Sequence, residues 1–437
     1  MEQNYRSTQS ILELANALIE HNIQRKPKSL WTDSEQGDLA VRFKAENEHD
    51  EAWYVANEVE RLVQGEGERY GDIAVFYRTN AQSRVLEDVF MRAGLPYKIV
   101  GGVRFYQRRE IKDVFAYLRS VVNPGDLVSI RRIINTPKRG IGDATVAALE
   151  GFAADEDIPF VEAARRADEV ATLGQRAKGA VASFMEVIAT LQTMASDGAG
   201  PATMVEAAFT ESGYLAELES ERTIDSLGRV ENLKELVGVA REFEARQPDG
   251  TLADFLEQVA LVTEQDEYDE EEPAVTLMTL HNAKGLEFDV VFMVGMEDGV
   301  FPHYRSMGDS AQLEEERRLA YVGITRARRR LYLTHAWSRS LFGGSSFNPP
   351  SRFLSEIPSH LVNQLKADQE SAAASRASHG LHEPIDISTG DTVFHERWGE
   401  GVVISVSGRG QGAEATISFD EVGEKRLMLA YAPLARR

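Results

Sequence analysis

Three short segments carry the residue types from which phosphate chemistry could be built. Gln3-Asn4-Tyr5-Arg6-Ser7 opens the chain, Thr279-Leu280-His281-Asn282-Ala283-Lys284-Gly285-Leu286-Glu287-Phe288 lies far downstream, and Glu315-Glu316-Arg317-Arg318-Leu319-Ala320-Tyr321-Val322-Gly323-Ile324-Thr325-Arg326-Ala327 leads into a basic run. Singly, each has an ordinary reading: Arg6 beside a helix cap, KGLEF as a turn, RARRR as a solvated helix end. Phosphoryl transfer concentrates charge on the γ-phosphate oxygens. An always-charged, planar guanidinium reaching across a closing cleft can stabilise that charge. A fourth segment, Thr136-Pro137-Lys138-Arg139-Gly140-Ile141-Gly142-Asp143, places two glycines around an apolar residue just before a helical stretch. There, backbone N–H groups at Gly140 and Gly142 could approach a phosphate, with Lys138 and Arg139 adding charge, although a plain glycine turn fits equally well.

Other chemistry is excluded. The chain has no cysteine, which removes disulfides, thiolate catalysis and sulfur-ligated zinc. Its nine histidines are scattered and no H-E-x-x-H pair exists, so a metal enzyme is not expected. Met1 to Asn22 is polar and acidic where a signal peptide would be basic and then apolar, and no long apolar run follows. The expected location is the cytoplasm, with no membrane partner. Seventy acidic against 48 basic residues give a net charge of -22 over 437 residues. Composition alone therefore argues against a nucleic-acid binder. The basic residues cluster, however, at Arg104 to Arg109, Arg131 to Arg139 and Arg326 to Arg330, so local field rather than net charge should govern contact.

These segments need a scaffold to position them. Ser7 to Ile23 has a helical period, Asp72 to Arg78 is a buried-strand run, Ser83 to Ala93 is helical, and Tyr97 to Val100 is a second strand. The alternation returns with strands Val275 to Leu280 and Val290 to Val294, a helix Glu314 to Arg328 and a strand Leu331 to Thr334. Both ends thus read as parts of one parallel sheet. Between them, Glu110 to Ala260 is Ala/Leu/Glu-rich and helical, closing on the acidic run Glu264 to Glu272, a solvated linker. A Ser/Ala/His-rich stretch after Pro358 reads as a tether, and Gly390 to Leu434 alternates short apolar strands with glycine turns, as a small β-barrel does.

In this order and context, the three motifs closely resemble motifs four, five and six of the superfamily-one DNA helicases of the UvrD/PcrA/Rep group, the actinobacterial-type PcrA/UvrD proteins being nearest in look. The resemblance covers essentially the whole chain. It implies an α/β fold: a RecA-like parallel-sheet domain (1–107 and 273–358) interrupted by an all-helical insertion (108–272), then a flexible linker (359–388) and a Tudor/SH3-like β-barrel (389–437). It further implies ATP with Mg²⁺, bound between two RecA-like domains, and 3′ to 5′ movement along single-stranded DNA. Arg6 and Arg326 match the family's catalytic arginines, Tyr5 its adenine-stacking residue and Glu287 its ribose acceptor. Arg78, Asn80, Thr279, His281, His303 and Phe342 match its single-strand contacts, and Lys138, Gly140 and Gly142 its duplex-contacting turn. The expected partners are single-stranded DNA and single-strand/duplex junctions, RNA polymerase through the barrel, and repair proteins. The role of Lys284 stays open.

No G-x-x-x-x-G-K-[ST] segment and no strand ending in paired carboxylates occurs. The phosphate cradle and the Mg²⁺ ligands are therefore expected in a domain upstream of Gln3, and this chain is expected to be inactive alone as an ATPase. The competing reading is a non-enzymatic module that binds DNA or RNA polymerase. A helicase–nuclease subunit would instead need a C-terminal carboxylate cluster, which the Gly/Val-rich barrel argues against.

Overall fold

The structure, a computed structural model, describes residues 3–23, 30–264, 273–341, 344–365, 387–395, 399–407, 414–419, 423–429 and 434–436. It divides into two compact units, one of residues 1–103, 268–339 and 346–437, the other of 104–267 and 340–345.

The first unit is built on strands β1 (Ala40–Ala45), β2 (Ile73–Tyr77), β3 (Tyr97–Val100), β4 (Val275–Thr279), β5 (Phe288–Met293) and β6 (Ala327–Ala336). A two-stranded pair, β7 (Arg339–Leu341) and β8 (Gly344–Ser346), follows, and then β9 (Val362–Leu365). The main sheet has the order β3-β4-β2-β5-β6-β1-β9, and every neighbouring pair is parallel. Alternation along the strands splits its side chains between two cores. Ala74, Phe76, Met278, Val291, Met293, Leu331 and Leu333 pack with the helices Gln9–Ile19 and Ser310–Ile324. Ile73, Val75, Tyr77, Val275, Leu277, Val290 and Phe292 pack with the helices Glu48–Glu60 and Ser83–Ala93. A central sheet covered on both faces is the α/β architecture expected from the sequence.

Three details differ from the sequence reading. The helix expected over Glu314 to Arg328 runs over Ser310–Ile324, and the basic run begins β6 instead, because Ala327 pairs with Phe288 and Arg330 with Val290 in the ladder. The strand β1 was not anticipated. Its sequence AVRFKA mixes Arg42 and Lys44 among apolar residues, and only its two end residues are buried. Where the tether was expected from 359 onward, a turn at Ser359–Leu361 and β9 continue the sheet, with Ala40 paired to Val362 and Phe43 to Leu365. Backbone pairing with an open sheet edge decides there, since an edge strand with mostly exposed side chains needs no apolar run.

A buried charge cluster ties the far ends of β5 and β6 together. Arg339 donates to Glu297 through Nε (3.1 Å) and Nη2 (2.6 Å), and through Nη2 to Glu51 as well. Glu51 also accepts from the Gly295 N–H (2.9 Å) and the Thr334 hydroxyl (2.6 Å), and Glu297 from the Ala336 N–H (2.8 Å) and Asn348 Nδ2 (3.2 Å). Burial would raise the Glu297 pKa, but the Arg339 charge and its hydrogen bonds more than offset this and hold the carboxyl below its usual range.

The second unit is helical from Arg109–Val122 to Leu252–Glu264, with no strand among the described residues of that span. It begins at Arg104 rather than 108, since Phe105 and Tyr106 belong to its core beside Phe115, Phe184, Phe243 and Phe255. The C-terminal residues form an antiparallel five-stranded sheet, β10 (Thr392–His395), β11 (Gly399–Ser407), β12 (Glu414–Phe419), β13 (Gly423–Met428) and β14 (Leu434–Arg436), in the order β13-β12-β11-β10-β14. Among the described residues no helix is long and apolar enough to cross a membrane.

Candidate functional site

The chain's first residues are pinned beside the start of β6. Asn4 Oδ1 accepts from the N–H groups of Arg6 (2.7 Å) and Ser7 (2.9 Å), a side-chain turn that fixes the direction of Arg6. The Ser7 hydroxyl donates to the Ala327 carbonyl (2.6 Å), and the Thr8 N–H to that of Arg328 (3.0 Å). Arg6 consequently reaches Glu287, and its Nη1 reaches the Thr325 carbonyl at 3.3 Å. Glu287 also accepts from Arg328, which has a second contact with Asp289 (3.3 Å). The Arg328 hydrogen bond, then that of Arg6, holds the Glu287 carboxyl below the usual carboxylate range.

Arg326 lies in the same corner. It donates to the carbonyls of Val322 (3.1 Å) and Leu286 (3.0 Å) and to the Thr325 hydroxyl (3.3 Å). Burial, then the nearby Arg6 charge, lowers its pKa, and Glu287 counteracts only part of this. Two guanidiniums gathered in one corner form a locus suited to an anion. Tyr5 stands 81% exposed beside them, its hydroxyl donating to Gln3 Oε1 at 2.6 Å. Lys284 is exposed in the loop between β4 and β5.

A second group gathers where β2 and β4 end. Arg78 makes a bidentate ion pair with Glu316 (3.0 and 2.7 Å), and Glu316 also accepts from the His303 N–H (2.9 Å). Gln82 Oε1 accepts from the N–H groups of Arg78 and Thr79, both at 3.0 Å, which shapes the turn that presents the exposed Asn80. Thr279 ends β4 opposite Tyr77. His281 has an open face, and burial of its packed side, then the Arg78 charge, lowers its pKa. The His303 ring is buried, tilted by 40° against Tyr304 with centroids 4.5 Å apart, and is not presented to solvent as an exposed contact would be. Phe342 lies outside the described residues.

The two groups occupy opposite edges of the same parallel sheet. Glu287 and Arg326 precede β5 and β6, whereas Arg78 and His281 follow β2 and β4, and six residues of strand separate the edges by about 20 Å. Two elements cross that distance: the loop 280–287, and the helix Ser310–Ile324, whose Glu316 meets Arg78 and whose C-terminal end leads to Arg326. They pack closely, because a Cβ on Gly323 would come within 2.5 Å of Leu280 Cδ2 and 3.1 Å of Met293 Cε. Gly323→Ala is expected to destabilise the fold by about 1–3 kcal/mol through this overpacking, read as a lower urea midpoint at unchanged m-value.

In the helical unit, the turn expected to offer backbone N–H groups is largely self-satisfied. Asn135 Oδ1 accepts from the N–H groups of Arg139 (2.8 Å), Gly140 (3.1 Å) and Ile141 (3.2 Å). The Arg139 guanidinium turns inward to the Tyr117 hydroxyl (2.8 Å) and the Ser212 carbonyl (2.9 Å), so it holds the turn together rather than facing outward. Lys138 is exposed, and Gly140 has φ +81°, which explains its glycine. Gly142, at the start of the helix Asp143–Asp155, has an ordinary φ of -95° and open space around it, so packing does not demand glycine there.

Sequence reasoning assigned no role to Asn4, Glu316, Gln82 or Arg328. Glu316 and Arg328 lie within or beside the quoted motifs, where a carboxylate amid arginines is the available signal. Among the described residues no group of three or more His, Asp or Glu side chains is placed to hold a metal ion.

Residues 1–338 match the model of the UvrD-like helicase C-terminal domain, and residues 389–436 that of the PcrA/UvrD tudor domain. The chain is 47% identical to the ATP-dependent DNA helicase UvrD1 of Mycobacterium tuberculosis over 469 residues, covering 100% of this chain and 61% of that protein. It is 42% identical to the ATP-dependent DNA helicase PcrA of Bacillus subtilis over 460 residues, covering 100% and 62%. The chain thus spans about three fifths of the length of these relatives. On the match across residues 1–338, the chain belongs to the UvrD-like helicase C-terminal domain family.

Proposed function

We propose that the chain is the C-terminal half of an ATP-dependent 3′ to 5′ DNA helicase or translocase acting in repair or replication, and that it is inactive as an ATPase without a P-loop domain. In this reading Arg6 and Arg326 meet the γ-phosphate, Tyr5 stacks on adenine and Glu287 accepts from the ribose. Mg²⁺ would be held by residues of the P-loop domain. Arg78, Asn80, Thr279 and His281 line the single strand, with the buried His303 behind Glu316 rather than against the strand, and Lys138, Gly140 and Gly142 face the duplex.

The observation that carries this reading is the placement of the two residue groups at opposite strand ends, bridged by one helix and one loop. Nucleotide contact at Arg326 would bear on the end of Ser310–Ile324, while Glu316 in its middle holds Arg78. A shift of the helix along its axis would alter both groups together. Upon nucleotide entry Arg6 would exchange Glu287 for phosphate, and Arg328 with Asp289 would keep Glu287 in place. The isolated chain is expected to bind single-stranded oligonucleotide. Arg78→Ala should weaken that binding about tenfold and flatten its salt dependence by about one unit of log-log slope. An unchanged affinity and slope would count against the strand path.

The second reading, a module that docks RNA polymerase, is supported by one observation. Phe394, Val402 and Ile404 face outward on β10 and β11 while Val393, Val403 and Ile417 fill the barrel.

A further inference from the structure

Just past the end of β6, on the same sheet edge as Arg78 and His281, two large aromatic side chains face solvent in mutual contact. Trp337 is 51% and Phe347 71% exposed, with ring centroids 6.3 Å apart and planes tilted by 58°. Lys44 Nζ sits 4.7 Å from the Trp337 ring centroid. Scattered exposed aromatics need no explanation, but a paired, cation-bearing set on a candidate ligand edge does.

The pair is also held rigidly. The Trp337 N–H donates to the Ala45 carbonyl (2.9 Å), and the Ser338 N–H and hydroxyl to that of Glu46 (both 3.0 Å), so the β1–β6 pairing extends through the tryptophan. Two residues on, Arg339 enters the buried cluster with Glu51 and Glu297. Asn348, next to Phe347, donates to Glu297 at 3.2 Å. One buried carboxylate therefore anchors both arms that carry the rings. Holding two rings in fixed exposed positions is useful to a ligand that stacks, because little ordering remains to be done on binding.

We propose that Trp337 and Phe347, with Lys44 against the indole, form a base-stacking platform for single-stranded nucleic acid. It would extend the strand path from the Arg78 and His281 group, and it rests on the single-strand reading above. The strand order β2-β5-β6 places this platform about 10 Å along the edge from Arg78, in the direction a strand crossing the sheet would follow. Stacking on flat rings beside a cation is how sequence-tolerant single-strand binders hold bases. Lys44 is occupied by the indole and the exposed Glu46 follows it, so the contribution comes from stacking rather than phosphate neutralisation.

The test uses the chain itself and a fluorescein-labelled oligothymidylate of about 16 nucleotides, with binding followed by anisotropy across a salt series. Trp337→Ala and Phe347→Ala should each weaken binding by about 5- to 100-fold without altering the log-log salt slope, and Trp337→Phe should restore most of the affinity. Both side chains are exposed, so melting temperatures should stay at the parent value. Alanine variants within twofold of the parent, alongside a weakened Arg78→Ala, would overturn the platform and leave the strand reading standing. A Trp337→Phe variant as weak as Trp337→Ala would also overturn it. A parent chain that binds no oligonucleotide would defeat the strand reading and the platform with it.

Discussion

Arg326→Ala, in a protein that joins this chain to an upstream P-loop domain, is expected to lower kcat for DNA-stimulated ATP hydrolysis by about 10³- to 10⁵-fold. The guanidinium is already oriented by the carbonyls of Val322 and Leu286, so its charge can be presented to a developing phosphoryl charge with little reorganisation. Because that interaction is strongest in the transition state, kcat and kcat/KM should fall together. Arg326→Lys should rescue little, since an ammonium cannot reproduce a fork held by two carbonyls. Arg6→Ala should act in the same direction. Its expected loss is accompanied by a freed Glu287 carboxylate, which keeps only Arg328 as a strong partner. Steady-state ATPase assays at saturating oligonucleotide provide the measurement.

Arg339→Ala is expected to produce the largest stability loss, about 3–5 kcal/mol, because it leaves Glu51 and Glu297 buried without their counter-charge. The pH dependence has a definite sign. In the parent, the depressed Glu297 pKa contributes stability that is present above the unfolded carboxylate pKa, about 4.3, and is lost as pH falls through the folded value. In the variant, burial without Arg339 raises that pKa, so stability is lost as pH rises above the unfolded value. The gap between parent and variant should therefore widen from pH 4 to pH 7. Urea denaturation at the two pH values checks this, and a gap independent of pH would mean that lost packing rather than unpaired buried charge explains the variant.

Much of the scaffold was legible because the strands of this sheet are buried on both faces. Ile73–Tyr77 is apolar at every position and reads as a strand without any structural knowledge, and the helix Ser83–Ala93 is bounded as its period and Gly94 indicate. The sheet margin was less legible. β1 and β9 carry Arg42, Lys44, Asn363 and Gln364, and their formation depends on backbone pairing with β6 and with each other, which leaves no apolar signature.

The candidate site divides along similar lines. Arg6, Glu287 and Arg326 were recognisable by motif although Arg6 is 281 residues from its partner Glu287. Their supports were not recognisable: Asn4 acts through its side-chain turn, and Glu316 through a bidentate pair with a residue 238 positions away. The inward turn of Arg139 could not have been read from a basic residue beside glycines. It depends on the Tyr117 hydroxyl and the Ser212 carbonyl, brought there only by the packing of the helical unit.

The most direct test of the account is ATP-dependent strand separation by this chain joined to the P-loop portion of a relative, on a duplex with a 3′ single-stranded tail. The account predicts unwinding that requires ATP and the 3′ tail, is abolished by Arg326→Ala, and is absent from the chain alone. Strand separation that survives Arg326→Ala, or a joined protein that hydrolyses no ATP despite an intact P-loop, would contradict it.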